Sequence, residues 1–253
     1  MNTVSFVGAG PGAVDLITLR GKVLLENADV IIYAGSLVNP ALLGFAKAGC
    51  RIYNSAVMTL DEVIETIQNS VKDGKKVVRL HTGDPSIYGA IREQMDRLKS
   101  LGIDYEVCPG VSSFNAAAAA LKAEYTLPGV SQTVILTRAA GKTPTPDREA
   151  IRALAAHKAT MVLFLSTGLL KQVSGDLIAG GYAPDTPAAI VYKASWPEEK
   201  IKYCTVETLA KSAADNEITK TALVCVGDFL GDVYELSKLY DPRFSTEYRE
   251  AKQ

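Results

Sequence analysis

Short runs rich in Val, Ile and aromatic residues recur along the chain at Val4–Val7, Val30–Tyr33, Val77–Leu80 and Tyr105–Val107. They continue at Thr133–Leu136, Met161–Leu165, Ala189–Tyr192 and Leu223–Val226. Little polar alternation interrupts them, which is the pattern of strands covered on both faces. Between most of these runs apolar residues return at helical spacing. Leu60, Val63, Ile64, Ile67 and Val71 share one helix face, with Thr59 and Glu62 set as a capping box before them and Gly74 as a left-handed stop behind. Ile87, Ile91, Met95 and Leu98 repeat the spacing and predict a helix that begins near Ile87 and ends at Gly102. Strands separated by such helices predict an α/β protein with mostly parallel sheets.

The alternation breaks once, at Glu124–Gly129. Ahead of the break stand the consecutive alanines Ala116–Ala120, which favour a helix packed close to a neighbour. The pattern restarts after Pro128-Gly129 and predicts two α/β domains, residues 1–124 and 125–253, with the cleft between them as the default ligand site. Gly141–Pro146 reads as an exposed loop able to reach over that cleft, and the polar and aromatic tail from Ser237 to Gln253 is placed by no pattern.

Composition narrows the class. The 253 residues carry 27 Lys and Arg against 28 Asp and Glu, a balance that gives no reason to expect nucleic acid or an anionic membrane as partner. No apolar stretch approaches the roughly 20 residues needed to cross a bilayer. Met1–Val4 leads straight into the strand pattern, without the charged and apolar regions of a signal peptide. Cys50, Cys108, Cys204 and Cys225 lie far apart and no C-x-x-C pair occurs, so free thiols and a cytoplasmic location are expected, with no metal site.

The densest chemistry lies in His81-Thr82-Gly83-Asp84-Pro85-Ser86-Ile87-Tyr88-Gly89, where a strand ends and the chain turns. In an open α/β sheet ligands bind outside the carboxyl ends of the strands, so Asp84 stands where it can touch one; equally, Asp84 or Ser86 can serve only to cap a helix. Gly8-Ala9-Gly10-Pro11-Gly12-Ala13 satisfies the dinucleotide fingerprint G-x-G-x-x-G/A. Two details count against a nicotinamide enzyme. Pro11 removes a donor from the loop, and the second strand ends Tyr33-Ala34-Gly35-Ser36 with no acidic residue for a ribose. Phosphate-loop, nucleophile-elbow and zinc-protease motifs are absent, and only His81 and His157 are available for a hydrolytic triad.

Several motifs in order go further. Val7–Gly12 with Asp15-Leu16-Ile17-Thr18, then Thr82-Gly83-Asp84-Pro85, then Pro109-Gly110-Val111-Ser112-Ser113, resemble the three signatures of the S-adenosylmethionine-dependent tetrapyrrole methylases. Tyr33–Val38, Gln132–Arg138 and Tyr192–Pro197 resemble the branch acting at C11 of precorrin-4 or its cobalt form. The tail, with Gly231, Ser237–Tyr240 and Phe244–Arg249, is similar to the anaerobic, cobalt-using members.

The resemblance implies a homodimer that binds S-adenosylmethionine between two domains and methylates a tetrapyrrole. Carried over by position, Pro11, Thr82, Gly83, Asp84, Ile87, Ser112, Ser113, Leu165, Ala194, Thr221 and Ala222 would contact the cofactor. Gly10, Gly12, Ser36, Arg79, Tyr88, Arg138 and Lys193 would face the substrate, the basic residues meeting its carboxylates. Displacement at a sulfonium methyl expels a neutral thioether, so the main demand is alignment of the reacting carbons at about 3–3.5 Å. Asp84 is the one candidate for a base that relieves charge on the macrocycle. Leu165 and Ala222 would otherwise be read as ordinary core residues.

Overall fold

The computed structural model describes residues 4–251, so the reading of Met1–Thr3 as a lead into the first strand lies outside it, as do Lys252 and Gln253. The elements in chain order are β1 (Val4–Gly8), α1 (Leu19–Asn27), β2 (Val30–Tyr33), β3 (Arg51–Asn54), α2 (Leu60–Lys72), β4 (Val77–His81), α3 (Arg92–Ser100) and β5 (Tyr105–Cys108). They continue as α4 (Ser113–Leu121), β6 (Val134–Arg138), α5 (Ile151–Ala155), β7 (Thr160–Phe164), α6 (Leu170–Gly180), β8 (Pro187–Tyr192), β9 (Lys200–Thr205), α7 (Leu209–Asp215) and β10 (Ala222–Val226).

Two compact units result. One comprises residues 1–117 together with Lys193–Glu199, and the other Ala118–Tyr192 with Lys200 onward. The boundary therefore falls inside α4 rather than at residue 124, and the turn between β8 and β9 belongs to the first unit.

The first sheet has the order β3-β2-β4-β1-β5, with every pairing parallel. Val4, Phe6, Ile32 and Val77 meet α2 and α3 on one face, while Val7, Ile31, Val78 and Leu80 meet α1 on the other. Helix α2 carries the capping box of Thr59 and Glu62 that its sequence announces. Helix α3 starts later than its periodicity suggests. Tyr88 and Ala90 take φ of 55° and 49°, outside the helical region, so Ile87–Ala90 is a turn and regular helix begins at Arg92. No side chain caps α3, so neither Asp84 nor Ser86 acts as its N-cap.

The second sheet has the order β6-β7-β10-β8-β9. Here the α/β class holds but the pairing is mixed: β6–β7 is parallel, while β7–β10, β10–β8 and β8–β9 are antiparallel. The physical reason is connectivity. A short reversal at residues 193–199 turns β8 directly into β9, and such a connection can join only antiparallel neighbours. Leu163, Ile190 and Val224 form the core with Leu170, Val173 and Leu177 of α6.

Arg79 corrects one expectation outright. It lies inside β4 at 6% exposure, donating from Nε to Gln94 Oε1 at 3.0 Å and from Nη1 to the Ile32 carbonyl at 3.0 Å. Gln94 in turn donates to the Ala90 carbonyl. The guanidinium ties α3 to β2 beneath β4 and is enclosed by the sheet, so it is a strut and not a substrate contact. Burial lowers its pKa to about 10, which leaves it charged at neutral pH.

His81, two residues on, is 4% exposed and stacks on Phe6 with ring centroids 6.0 Å apart. Burial, reinforced by the Arg79 charge, lowers its pKa from 6.5 to about 3. Between those values the unfolded chain binds a proton that the folded chain refuses. Stability present above pH 6.5 is therefore lost as pH falls, by at most about 1.4 kcal/mol per pH unit from this residue. Denaturant titrations between pH 7 and about 5 should show this loss, and His81→Gln should flatten it.

Candidate active site

The carboxyl ends of β1, β4 and β5 lie side by side, and their outgoing chains touch backbone to backbone. A Cβ on Gly8 would lie 2.6 Å from both Gly110 Cα and the Gly83 carbonyl oxygen. One on Gly110 would lie 2.8 Å from Gly8 Cα and collide with that same oxygen. Gly10 and Gly83 exchange hydrogen bonds of 3.2 and 2.8 Å, each with positive φ (77° and 60°). Three loops can converge this closely only without side chains.

Asp84 fastens the convergence. Its Oδ2 accepts from Gly110 N at 2.8 Å, and its Oδ1 accepts from Ser86 N at 2.8 Å and from the Ser86 hydroxyl. Partial burial acts to raise the carboxyl pKa, but donation from the Ser86 hydroxyl and from the Gly110 and Ser86 amides outweighs it and holds the pKa below its usual value. A carboxylate so committed is a weak proton acceptor and a strong latch. Beside it the Thr82 hydroxyl is buried with no hydrogen-bond partner among the described residues, a polar group available to a ligand. Ser112 Cα and Ser113 N lie 3.6 and 3.4 Å from where a Gly83 Cβ would stand, so the second and third signatures meet.

The glycine loop has three of its amides spent within the unit. Ala9 N donates to the His81 carbonyl, Gly10 N to the Gly83 carbonyl and Ala13 N to the Ser195 hydroxyl at 3.0 Å. Pro11 has no N–H. The regular helix that follows begins only at Leu19, so no helix N-terminus faces the loop. A pyrophosphate cradle needs free amides and a helix dipole, and the loop offers neither arrangement.

In the second unit Val224 faces Leu163 in the antiparallel β7–β10 register; Leu165 directly follows β7, and Ala222 opens β10. Leu165 takes φ of 51° with its side chain 63% exposed, and Thr221 takes φ of 57°. Left-handed backbone at non-glycine residues costs roughly 1–2 kcal/mol and concentrates at functional sites. Leu165 is thus not a core residue. Ala222 is buried, and its carbonyl accepts from the Thr167 hydroxyl at 3.2 Å. Arg138, paired with Phe164 at the end of β6, donates to the carbonyls of Ala139, Thr143 and Pro144 and so braces the 141–146 loop.

The profile of the tetrapyrrole (corrin/porphyrin) methylases matches residues 3–210. The chain belongs to the tetrapyrrole methylases. It is 55% identical over 249 residues to the cobalt-precorrin-4 C(11)-methyltransferase of Methanocaldococcus jannaschii, covering 98% of this chain and 96% of that protein. The X-ray structure of a cobalt-precorrin-4 methyltransferase is similar at TM-score 0.89 and 48% identity, over 91% of this chain and 96% of that one. The Thermus thermophilus uroporphyrin-III C-methyltransferase, crystallised with S-adenyl homocysteine, matches at TM-score 0.75 and 28% identity, over 90% and 93% of the two chains.

For a tetrapyrrole methylase, the remaining expected site residues are placed as follows. Tyr88 and Ser36 are exposed, Ile87 is half-buried with its N–H on the Asp84 carbonyl, and Ala194 is buried in the 193–199 turn. Lys193 lies 3.4 Å from Glu198 and 5.0 Å above the Trp196 ring. Sequence reading passed over Gly8 and Gly110 as site-forming residues, and over Trp196, whose indole N–H donates to the Pro11 carbonyl at 2.9 Å. Glycines spaced one per strand end were the available signal for the first two. Asp84→Asn keeps an acceptor but removes the charge that holds Gly110 and Ser86. It should destabilise the protein by about 1 kcal/mol at pH 7. The deficit should shrink below about pH 4 as the wild-type carboxyl protonates. Methyl-transfer kcat should fall less than about tenfold, against the 10²–10⁴ expected of a lost general base.

Proposed function

We propose that this chain transfers the methyl group of S-adenosylmethionine to C11 of cobalt-precorrin-4, in the assembly of a corrin ring. Its full-length similarity to the M. jannaschii enzyme carries the reading. The first unit fits such a co-substrate by offering the unpartnered Thr82 hydroxyl to its polar groups. When bound, S-adenosylmethionine supplies an electrophilic methyl on a sulfonium. The chain's own part is positioning. Gly83 and the Ser112–Ser113 backbone fix one wall in space, the Asp84 latch keeps that wall rigid, and neutral, buried His81 adds no charge to it. Loss of a neutral thioether asks for no proton donor. The rate then comes from holding the nucleophilic carbon in line with the methyl.

Two further features belong to this reading. A homodimer is supported by Leu19 and Val23, 85% and 53% exposed on α1 one turn apart. A cytoplasmic setting is supported by four cysteines that are all free, and no described helix is long and apolar enough to cross a membrane.

Methyl-labelled S-adenosylmethionine offered with cobalt-precorrin-4 or metal-free precorrin-4 tests the proposal. The label should appear at C11 by NMR, with kcat/KM higher for the cobalt form. Calorimetry should register S-adenosylhomocysteine and not NAD. Heat from NAD alone, or label at another ring position, would overturn the assignment.

A further inference from the structure

The Lys193–Glu199 turn is built against the glycine loop through Ser195 and Trp196. The Trp196 indole donates to the Pro11 carbonyl at 2.9 Å, and the Ser195 hydroxyl accepts from Ala13 N at 3.0 Å. Between these two bonds a Cβ on Gly12 would fall inside the indole ring, so Gly12 is glycine because Trp196 occupies its side-chain space. From the opposite side Asn39 donates to the Gly12 carbonyl at 2.8 Å. The turn is itself held in a costly shape. Lys193 and Ser195 take φ of 47° and 69°, Ser195 N donates to Glu199 Oε2 at 2.7 Å, and the Lys193 ammonium caps the indole. Two strained residues and a half-buried indole tied to a distant loop are more than a surface reversal between two strands requires.

We propose that this turn is a positioning latch, and that Trp196 is a positioning residue that sets the conformation of Gly10–Ala13 for tetrapyrrole binding. The inference rests on the methylase reading for its substrate, but not for its geometry. Without the latch, a loop containing two glycines regains conformational freedom that must be lost again when a rigid macrocycle binds. The loss is therefore felt in substrate affinity. Trp196 acts through the loop and needs no contact with the reacting atoms.

Steady-state kinetics on the full-length enzyme separate this role from plain stabilisation. Trp196→Phe keeps most of the bulk and removes the N–H. KM for cobalt-precorrin-4 should rise roughly 5–10-fold, the effect of losing one hydrogen bond. Its kcat should change less than about twofold, and calorimetric affinity for S-adenosylhomocysteine should fall by a clearly smaller factor than KM rises, through Pro11 alone. Ser195→Ala should move KM in the same direction by a smaller factor. An unchanged KM in both variants overturns the proposal, as does a parallel loss of S-adenosylhomocysteine affinity. The latch itself is read without substrate, because Trp196 is the chain's only tryptophan. Gly12→Ala should displace the indole, shifting its emission to longer wavelength and raising its quenching by acrylamide. An unaltered spectrum overturns the latch even if the wild-type protein methylates neither form of precorrin-4.

Discussion

The contact on which the candidate site depends is the backbone closure of Gly8, Gly83 and Gly110. Parallel strands end in register, and their outgoing loops ordinarily diverge because side chains keep them apart. Here the three loops leave β1, β4 and β5 within van der Waals contact of one another. The Asp84 carboxylate then supplies what backbone packing lacks, a directional bond from one loop to the next. The site's wall is thus made of main chain, which is rigid and whose position does not depend on rotamer choice.

A wall of that kind suits a reaction in which alignment does most of the work. The charged groups of the first unit near that wall are occupied elsewhere: Asp84 by amides, Arg79 by Gln94 and Ile32. His81 is stripped of charge by burial. None stands ready to exchange a proton, and displacement of a thioether needs no such exchange. The same economy explains why no familiar catalytic constellation is visible in the sequence.

Much of the architecture was legible, and the omissions have physical causes. Every apolar run became a strand, and those at the sheet centres, β1, β4, β7 and β10, are buried on both faces, a signal that needs no context. The strands β3 and β9 carry no continuous apolar run: Arg51 and Ile52 are exposed, and Lys200–Thr205 mixes polar with apolar residues. The late start of α3 was hidden because Ile87 and Ile91 keep helical spacing through a turn set by Tyr88 and Ala90. Arg79 was misplaced by its nearness to a strand end, although its position inside a continuous apolar run was itself a sign of burial. Thr82–Asp84 and Ser112–Ser113 stand out in the sequence because each follows a strand end, the first directly after β4 and the second after β5 at the start of α4. Trp196 could not be found this way, because its partner Pro11 is 185 residues distant and only the fold joins them.

The central claim is that main-chain closure builds the binding wall, and one added methyl group tests it. In Gly110→Ala the new Cβ would meet backbone on two sides, whereas in Gly175→Ala it would meet nothing within 4 Å. Calorimetric affinity for S-adenosylhomocysteine should fall at least about tenfold in Gly110→Ala, with a loss of stability of about 1–3 kcal/mol from overpacking. The Gly175→Ala control should match the wild-type protein in affinity. A Gly110→Ala protein that folds and binds S-adenosylhomocysteine with wild-type affinity would contradict the account.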